Sequence, residues 1–130
     1  MTAMRGVLAL LTTAVVILAG CGTSQQFVAV PADIDRSAVP ALSVTMTAHR
    51  YEFIPDTVRV RQGTLLTLRV TSTGGTHGFA LGAFGIDERL EEGVTKEIEL
   101  YASRKGAFTF KCSHLCGIGH FGMNGVLLVE

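Results

Sequence analysis

Twelve residues, Cys112-Ser113-His114-Leu115-Cys116-Gly117-Ile118-Gly119-His120-Phe121-Gly122-Met123, hold two thiols, two imidazoles and a thioether. Donors of this kind suit a soft or borderline transition metal. Thiolate and thioether sulfur favour Cu(I), and imidazole serves copper in both oxidation states. Met123 argues against structural zinc, which takes four donors drawn mostly from Cys and His. Gly117, Gly119 and Gly122 let the backbone turn tightly around an ion, because positive φ costs glycine little.

The spacing of the two cysteines narrows the chemistry. A mononuclear blue-copper site uses one cysteine, two histidines and a weak axial donor. Here Cys116 follows Cys112 by four residues. Two thiolates on one loop can bridge two copper ions, each of which then needs one imidazole and one weak axial donor. The loop offers His120, Met123 and the backbone carbonyl of His114, so one imidazole must come from elsewhere in the chain. Plainer readings stand beside this one. Cys112 and Cys116 can pair as a disulfide in an oxidising compartment, and Met123 can simply fill a core.

The elements that must position these donors follow from hydrophobic periodicity. Leu42, Val44, Met46 and Ala48 alternate with Ser43, Thr45 and Thr47, the pattern of a half-buried strand. The phase then slips, because Tyr51 and Phe53 fall on the other parity, and a bulge or bend near His49-Arg50 accounts for it. Val58 and Val60 alternate with arginines. Leu66, Leu68 and Val70 alternate with Thr67, Arg69 and Thr71. Strand signals resume at Thr76–Leu81, after the Gly74-Gly75 break, and at Ile98/Leu100, Phe108/Phe110 and Val126–Val129. No long helical period appears beyond residue 41. About seven short strands with regular turns predict an all-β Greek-key sandwich. On parity, Cys112 continues the face of Phe108 and Phe110 and points inward. His77, at the start of a strand after a glycine pair, is the natural source of the missing imidazole. His49, beside Arg50, reads as a surface or bulge residue. The acidic stretch Asp87, Glu88, Glu91 and Glu92 reads as a solvated loop.

At 130 residues the chain allows one domain. Eleven basic side chains balance eleven acidic ones, so bulk charge implies no nucleic-acid partner. Residues 1–20 read as an export leader: Arg5 is the only charge, and Val7 to Ala19 is an apolar run too short for a comfortable membrane span. The run ends in Leu18-Ala19-Gly20-Cys21, which resembles a bacterial lipobox. The expected layout is a leader over 1–20, a lipidated Cys21 and tether over 21–41, and a folded domain over 42–130. Acyl chains on Cys21 would tether the domain to a membrane of the bacterial cell envelope without spanning it, facing the periplasm or the cell exterior.

With the loop, the distant histidine and the flanking strands in view, the sequence resembles the dinuclear copper A (CuA) domain of subunit II of heme-copper oxidases, found also in nitrous oxide reductase. The family's two cysteines, the glycine after the second, the histidine four residues on and the methionine three further match Cys112, Cys116, Gly117, His120 and Met123. Thr76-His77-Gly78-Phe79 is similar to the segment carrying the family's first histidine. Phe108–Cys112 and Gly125–Val129 are similar to its flanking strands. The resemblance implies a cupredoxin fold and one-electron transfer by two copper ions. It also implies bridging Cys112 and Cys116, imidazoles from His77 and His120, and axial donors from Met123 and the His114 carbonyl. Ser113, Leu115, Ile118 and Phe121 are then candidates for the surroundings that tune the sulfurs. The implied partners are a c-type cytochrome or another redox protein, or a heme-copper oxidase. A copper-delivery lipoprotein is the alternative. All coordination positions are filled by protein donors, which disfavours an enzyme. The sequence departs from the family in its lipid anchor, in Gly74 where a carboxylate is common, in the imidazole at His114, and in having no tryptophan.

Overall fold

The computed structural model describes residues 28–130. The leader, Cys21 and the first part of the expected tether lie outside the described residues. Nine strands build two sheets: β1 (Ala41–His49), β2 (Glu52–Ile54), β3 (Thr57–Val60), β4 (Leu65–Ser72), β5 (His77–Leu81), β6 (Ile86–Leu90), β7 (Thr95–Tyr101), β8 (Gly106–Lys111) and β9 (Asn124–Val129). One sheet runs β2-β1-β4-β7 and the other β3-β9-β8-β5-β6. β1 lies parallel to β4 and β3 parallel to β9, while the other long pairings are antiparallel. The result is the expected all-β Greek-key sandwich.

The alternation read from the sequence sorts the side chains as it should. On β4, Leu66, Leu68 and Val70 are buried and Arg69 is exposed; on β7, Ile98 and Leu100 are buried. Facing them across the sandwich are Phe79, Leu81, Phe110, Leu127 and Val129. Phe79 and Phe110 stack with ring centroids 5.1 Å apart, and Phe53 meets both edge-on at 5.8 and 5.3 Å. These offset and edge-to-face contacts suit the ring quadrupoles. The triad forms the floor of the site, because Phe79 lies two residues after His77 and Phe110 two before Cys112.

Two local features differ from the sequence expectation. The phase slip near His49-Arg50 is a chain reversal and not a bulge, because β2 turns back antiparallel along β1, pairing His49 with Glu52 and Thr47 with Ile54. That return buries Phe53 and leaves Tyr51 at the turn. The acidic stretch is not wholly loop: Asp87 and Glu88 belong to β6, an edge strand whose Ile86 and Leu90 face the core. Charged residues are what an edge strand tolerates, and they blunt its tendency to pair with other chains. Among residues 28–40, Val28 is exposed while Ala29 packs against the core, and backbone and charge add further contacts with the sandwich. The Ala29 carbonyl accepts the Tyr101 N–H at 2.8 Å, and Arg36 pairs with Glu99 at 2.6 Å. No helix among the described residues is long and apolar enough to cross a membrane.

Candidate metal centre

The loop spans the gap between β8 and β9, whose last and first residues, Lys111 and Asn124, are paired. One residue further in, the Cys112 N–H donates to the Met123 carbonyl at 2.9 Å. The first and last sulfur donors are thus brought together although ten residues separate them. Cys112 is buried on the inward face, as the parity of Phe110 requires, and Met123 is fully buried. Inside the loop, a short 3-10 turn over His120–Gly122 aims the His120 and Met123 side chains back toward the cysteines, closed by the Met123 N–H on the His120 carbonyl at 3.2 Å.

The sulfurs of Cys112 and Cys116 stand 3.6 Å apart. That is well beyond a disulfide bond of about 2.05 Å. It is inside the span of about 4.6 Å that one ion could bridge with two metal–thiolate bonds of about 2.3 Å each. Cys116 Sγ lies 3.8 Å from His120 Nδ1 and 3.9 Å from Met123 Sδ. Cys112 Sγ lies 3.1 Å from the His114 carbonyl oxygen and accepts the Gly78 N–H at 3.4 Å. From β5, a ring nitrogen of His77 and the two sulfurs lie within 4.8 Å of one another. All six donors singled out in the sequence therefore converge on one end of the sandwich. His49 does not join them: it is exposed at the end of β1, with Nδ1 2.9 Å from Thr73 Oγ1.

His77 is the most informative donor. It is completely buried, its Nε2 lies 3.2 Å from the Thr73 carbonyl, and its Nδ1 has no hydrogen-bond partner among the described residues. A carbonyl can only accept, so Nε2 carries the proton and Nδ1 keeps a bare lone pair. Burial holds the imidazole below the usual histidine range. The Thr73 carbonyl offsets this in part, and the neighbouring His49, Arg50 and His114 add to it. A buried lone pair left without a donor is costly, and a bound cation removes that cost. Burial, followed by the hydrogen bond and charge of Cys112, pushes the Cys116 thiol up to about 11. The Cys116 thiol therefore stays protonated until a metal displaces its proton.

Four residues outside the predicted set shape the loop. At Gly78 an added Cβ would stand 2.7 Å from the His114 nitrogen and 2.9 Å from that of Ser113, so the strand is bare where the loop crosses it. A lone glycine inside a strand signals such close approach. Tyr51 lies against the loop from the other side: a Cβ at Gly117 would come within 2.5 Å of the Tyr51 hydroxyl oxygen, and one at Gly119 would collide with its ring. Asp87 accepts the Ser113 hydroxyl at 2.6 Å, and Arg89 Nη1 lies 3.3 Å from His114 Nδ1. By contrast, Leu115, Ile118 and Phe121 turn outward, although the Phe121 ring still meets that of His120 edge-on at 5.2 Å. They are 72%, 100% and 89% exposed. A short loop that turns its donors inward leaves the intervening side chains on the outside.

A two-sheet Greek-key sandwich with histidine, two cysteines and methionine gathered at one end defines a cupredoxin-type domain. Residues 25–129 match the family described as the periplasmic domain of cytochrome c oxidase subunit II, and the chain belongs to that family. It is 26% identical over 88 residues to a cytochrome c oxidase subunit 2 of Thermus thermophilus, a match covering 68% of this chain and 65% of that protein, which is thus less than two thirds represented. In fold it resembles the periplasmic domain of subunit II of cytochrome oxidase from Bradyrhizobium japonicum, with TM-score 0.64 and 23% identity over 68% of this chain and 83% of that one. It also resembles auracyanin A, a "blue" copper protein of Chloroflexus aurantiacus, with TM-score 0.56 and 14% identity over 69% and 99% of the two chains. The sandwich is therefore shared with a blue-copper protein, and the number of metal ions must be argued from the donors. Family membership implies copper binding and an extracytoplasmic location.

Proposed function

We propose that this chain is an extracytoplasmic electron-transfer protein holding two copper ions in a CuA-type centre, anchored to the cell envelope through a lipidated Cys21. The observation that carries the reading is the second sulfur: Cys116 lies 3.6 Å from Cys112, with His77 on one side of the pair and His120 on the other. A mononuclear site would leave one thiol and one weak donor without a role. Six donors for two metals give each ion two shared thiolates, one imidazole and one axial group. Met123, beside Cys116, would supply the weak donor to one ion, and the His114 carbonyl, beside Cys112, that to the other. A copper pair sharing two thiolates takes up and releases one electron with little change of geometry.

The protein's own contribution is to hold these groups still. His77 is fixed by Thr73 and the strand, Cys112 by Gly78 and Met123, and the aromatic triad keeps water from the inner side. Burial of His77, Cys112 and Met123 favours retention of copper over the copper-delivery alternative. The exposed Leu115, Ile118 and Phe121 around half-exposed His120 support docking of a redox protein such as a c-type cytochrome at this end.

The test is copper loading of the full chain. Two ions per chain and a seven-line hyperfine pattern, from one unpaired electron shared by two copper nuclei, are expected. One copper with a blue-copper spectrum, bound zinc, or a Cys112–Cys116 cystine in the natively isolated protein overturns the reading.

A further inference from the structure

We infer that Asp87 and Arg89, on edge strand β6, are positioning residues that hold the Ser113–His114 segment, and with it the His114 carbonyl, against the thiolate pair. In its spectroscopic consequence this rests on the copper reading above. β5 lies between β8 and β6 in the sheet. The chain leaving β8 therefore has to cross β5 to touch β6, and it crosses at Gly78, the position with no side chain in the way.

The register explains the clamp. Gly78 pairs with Arg89 and Ala80 with Asp87. Residues opposite one another in an antiparallel pair share a face. Asp87 and Arg89 therefore stand on the same face as the bare Gly78, while Leu90, paired with His77, faces the core. Asp87 accepts the Ser113 hydroxyl at 2.6 Å, and Arg89 reaches His114 Nδ1 at 3.3 Å. A guanidinium has only donors, so Nδ1 is the acceptor and the proton of that imidazole sits on Nε2. Arg89 is itself held. Its Nε donates to Glu91 Oε1 at 2.5 Å, and the other oxygen of Glu91 lies 3.3 Å from Thr76 Oγ1. A continuous chain thus runs Thr76–Glu91–Arg89–His114, starting one residue before His77. It gives the His114 side chain a purpose that does not involve touching metal: the imidazole is the handle by which the strand grips the loop two residues after Cys112.

The experiment compares the full chain with Arg89→Ala, Asp87→Ala, His114→Gln and His114→Leu. In the copper-free protein, amide hydrogen exchange at Ser113–Leu115 is expected to quicken about threefold to tenfold in both alanine variants and in His114→Leu, the loss of one ordinary hydrogen bond in each case. His114→Gln, which keeps an acceptor, should stay near wild type, and exchange in β4 and β8 should not move. In the copper-loaded protein, Arg89→Ala is expected to keep two ions per chain while its hyperfine pattern changes and its reduction potential rises, because a carbonyl free to withdraw stabilises oxidised copper less. Wild-type exchange at Ser113–Leu115 in both alanine variants overturns the inference, as does an unchanged spectrum and potential in a wild-type background that carries two coppers. A wild-type chain without two coppers instead sinks the copper reading, and the exchange result alone then decides whether β6 holds the loop.

Discussion

The two halves of the donor loop are built differently. Cys112–His114 is bound on every side: to Met123 through the backbone, to Gly78 through sulfur, and to Asp87 and Arg89 through side chains. Cys116–Phe121 has its internal turn bonds and leans on one aromatic ring, that of Tyr51, while Ile118 and Phe121 stand in solvent. The first half is fixed by directional polar bonds and the second by van der Waals contact. The difference fits a division of labour in which one half sets the geometry of the donors and the other presents the centre to what lies outside.

The largest expected effect denies any asymmetry at the sulfurs themselves. If both bridge, Cys112→Ser and Cys116→Ser are equally damaging, and each should abolish the two-copper centre, read as copper content and loss of the shared hyperfine pattern. Were Cys116→Ser to keep two ions, the exposed half would be dispensable and the bridging assignment wrong.

Next in size is the contrast between two glycines. Gly78→Ala sets a methyl group against backbone nitrogens of Ser113 and His114, which cannot rotate aside. It should cost about 1–3 kcal/mol in denaturant unfolding, the usual range for overpacking, and should weaken copper retention. For Gly119→Ala the three nearest atoms all belong to Tyr51, and a second substitution removes its ring while keeping the Cβ 2.8 Å away. The double variant Tyr51→Ala/Gly119→Ala should recover part of the loss, so that the two changes are non-additive. No comparable rescue is expected for Gly78→Ala with Ser113→Ala, because the backbone contacts remain.

This unevenness also governs how much the sequence revealed. The candidate donors, which the fold brings to one end, could be picked out because types and spacing carry metal chemistry, and Cys112 faces inward because Phe110 does, a consequence of a period of two. His77 followed from the need for one more imidazole and from its place after Gly74-Gly75. β6 was hidden because Asp87, Glu88 and Arg89 dilute the apolar signal of Ile86 and Leu90, as edge strands do. The reversal that brings Tyr51 under Gly117 and Gly119 has no local turn signature, and only its phase slip betrayed it. The outward Leu115, Ile118 and Phe121 could not be read at all, since composition does not say which side of a loop a side chain takes.

Met123→Leu probes the seam where the halves meet. The site is fully buried but the swap nearly conserves volume, so stability should fall by less than about 1.5 kcal/mol. Two coppers should remain, with a shifted reduction potential, because a weak axial donor mainly tunes the metal. Loss of one ion would make the thioether a structural ligand instead.

The smallest effect on the fold is the sharpest test of the exposed half. Ile118 is 100% exposed, so Ile118→Ser removes no buried area, and unfolding free energy should stay within about 0.5 kcal/mol of wild type. Copper content, hyperfine pattern and reduction potential should be unchanged, because none of the donors contacts this side chain. What should change is the second-order rate of electron exchange with a soluble c-type cytochrome, slower by about fivefold, the equivalent of roughly 1 kcal/mol of lost interface contact. Lys111→Ser, at the foot of β8, alters charge without removing apolar area and so separates steering from contact: only its effect should fade as salt rises. If Ile118→Ser and Phe121→Ser both exchange electrons at the wild-type rate, the apolar rim is not where the partner sits, and the open half of the loop is merely the half that the fold had no need to cover.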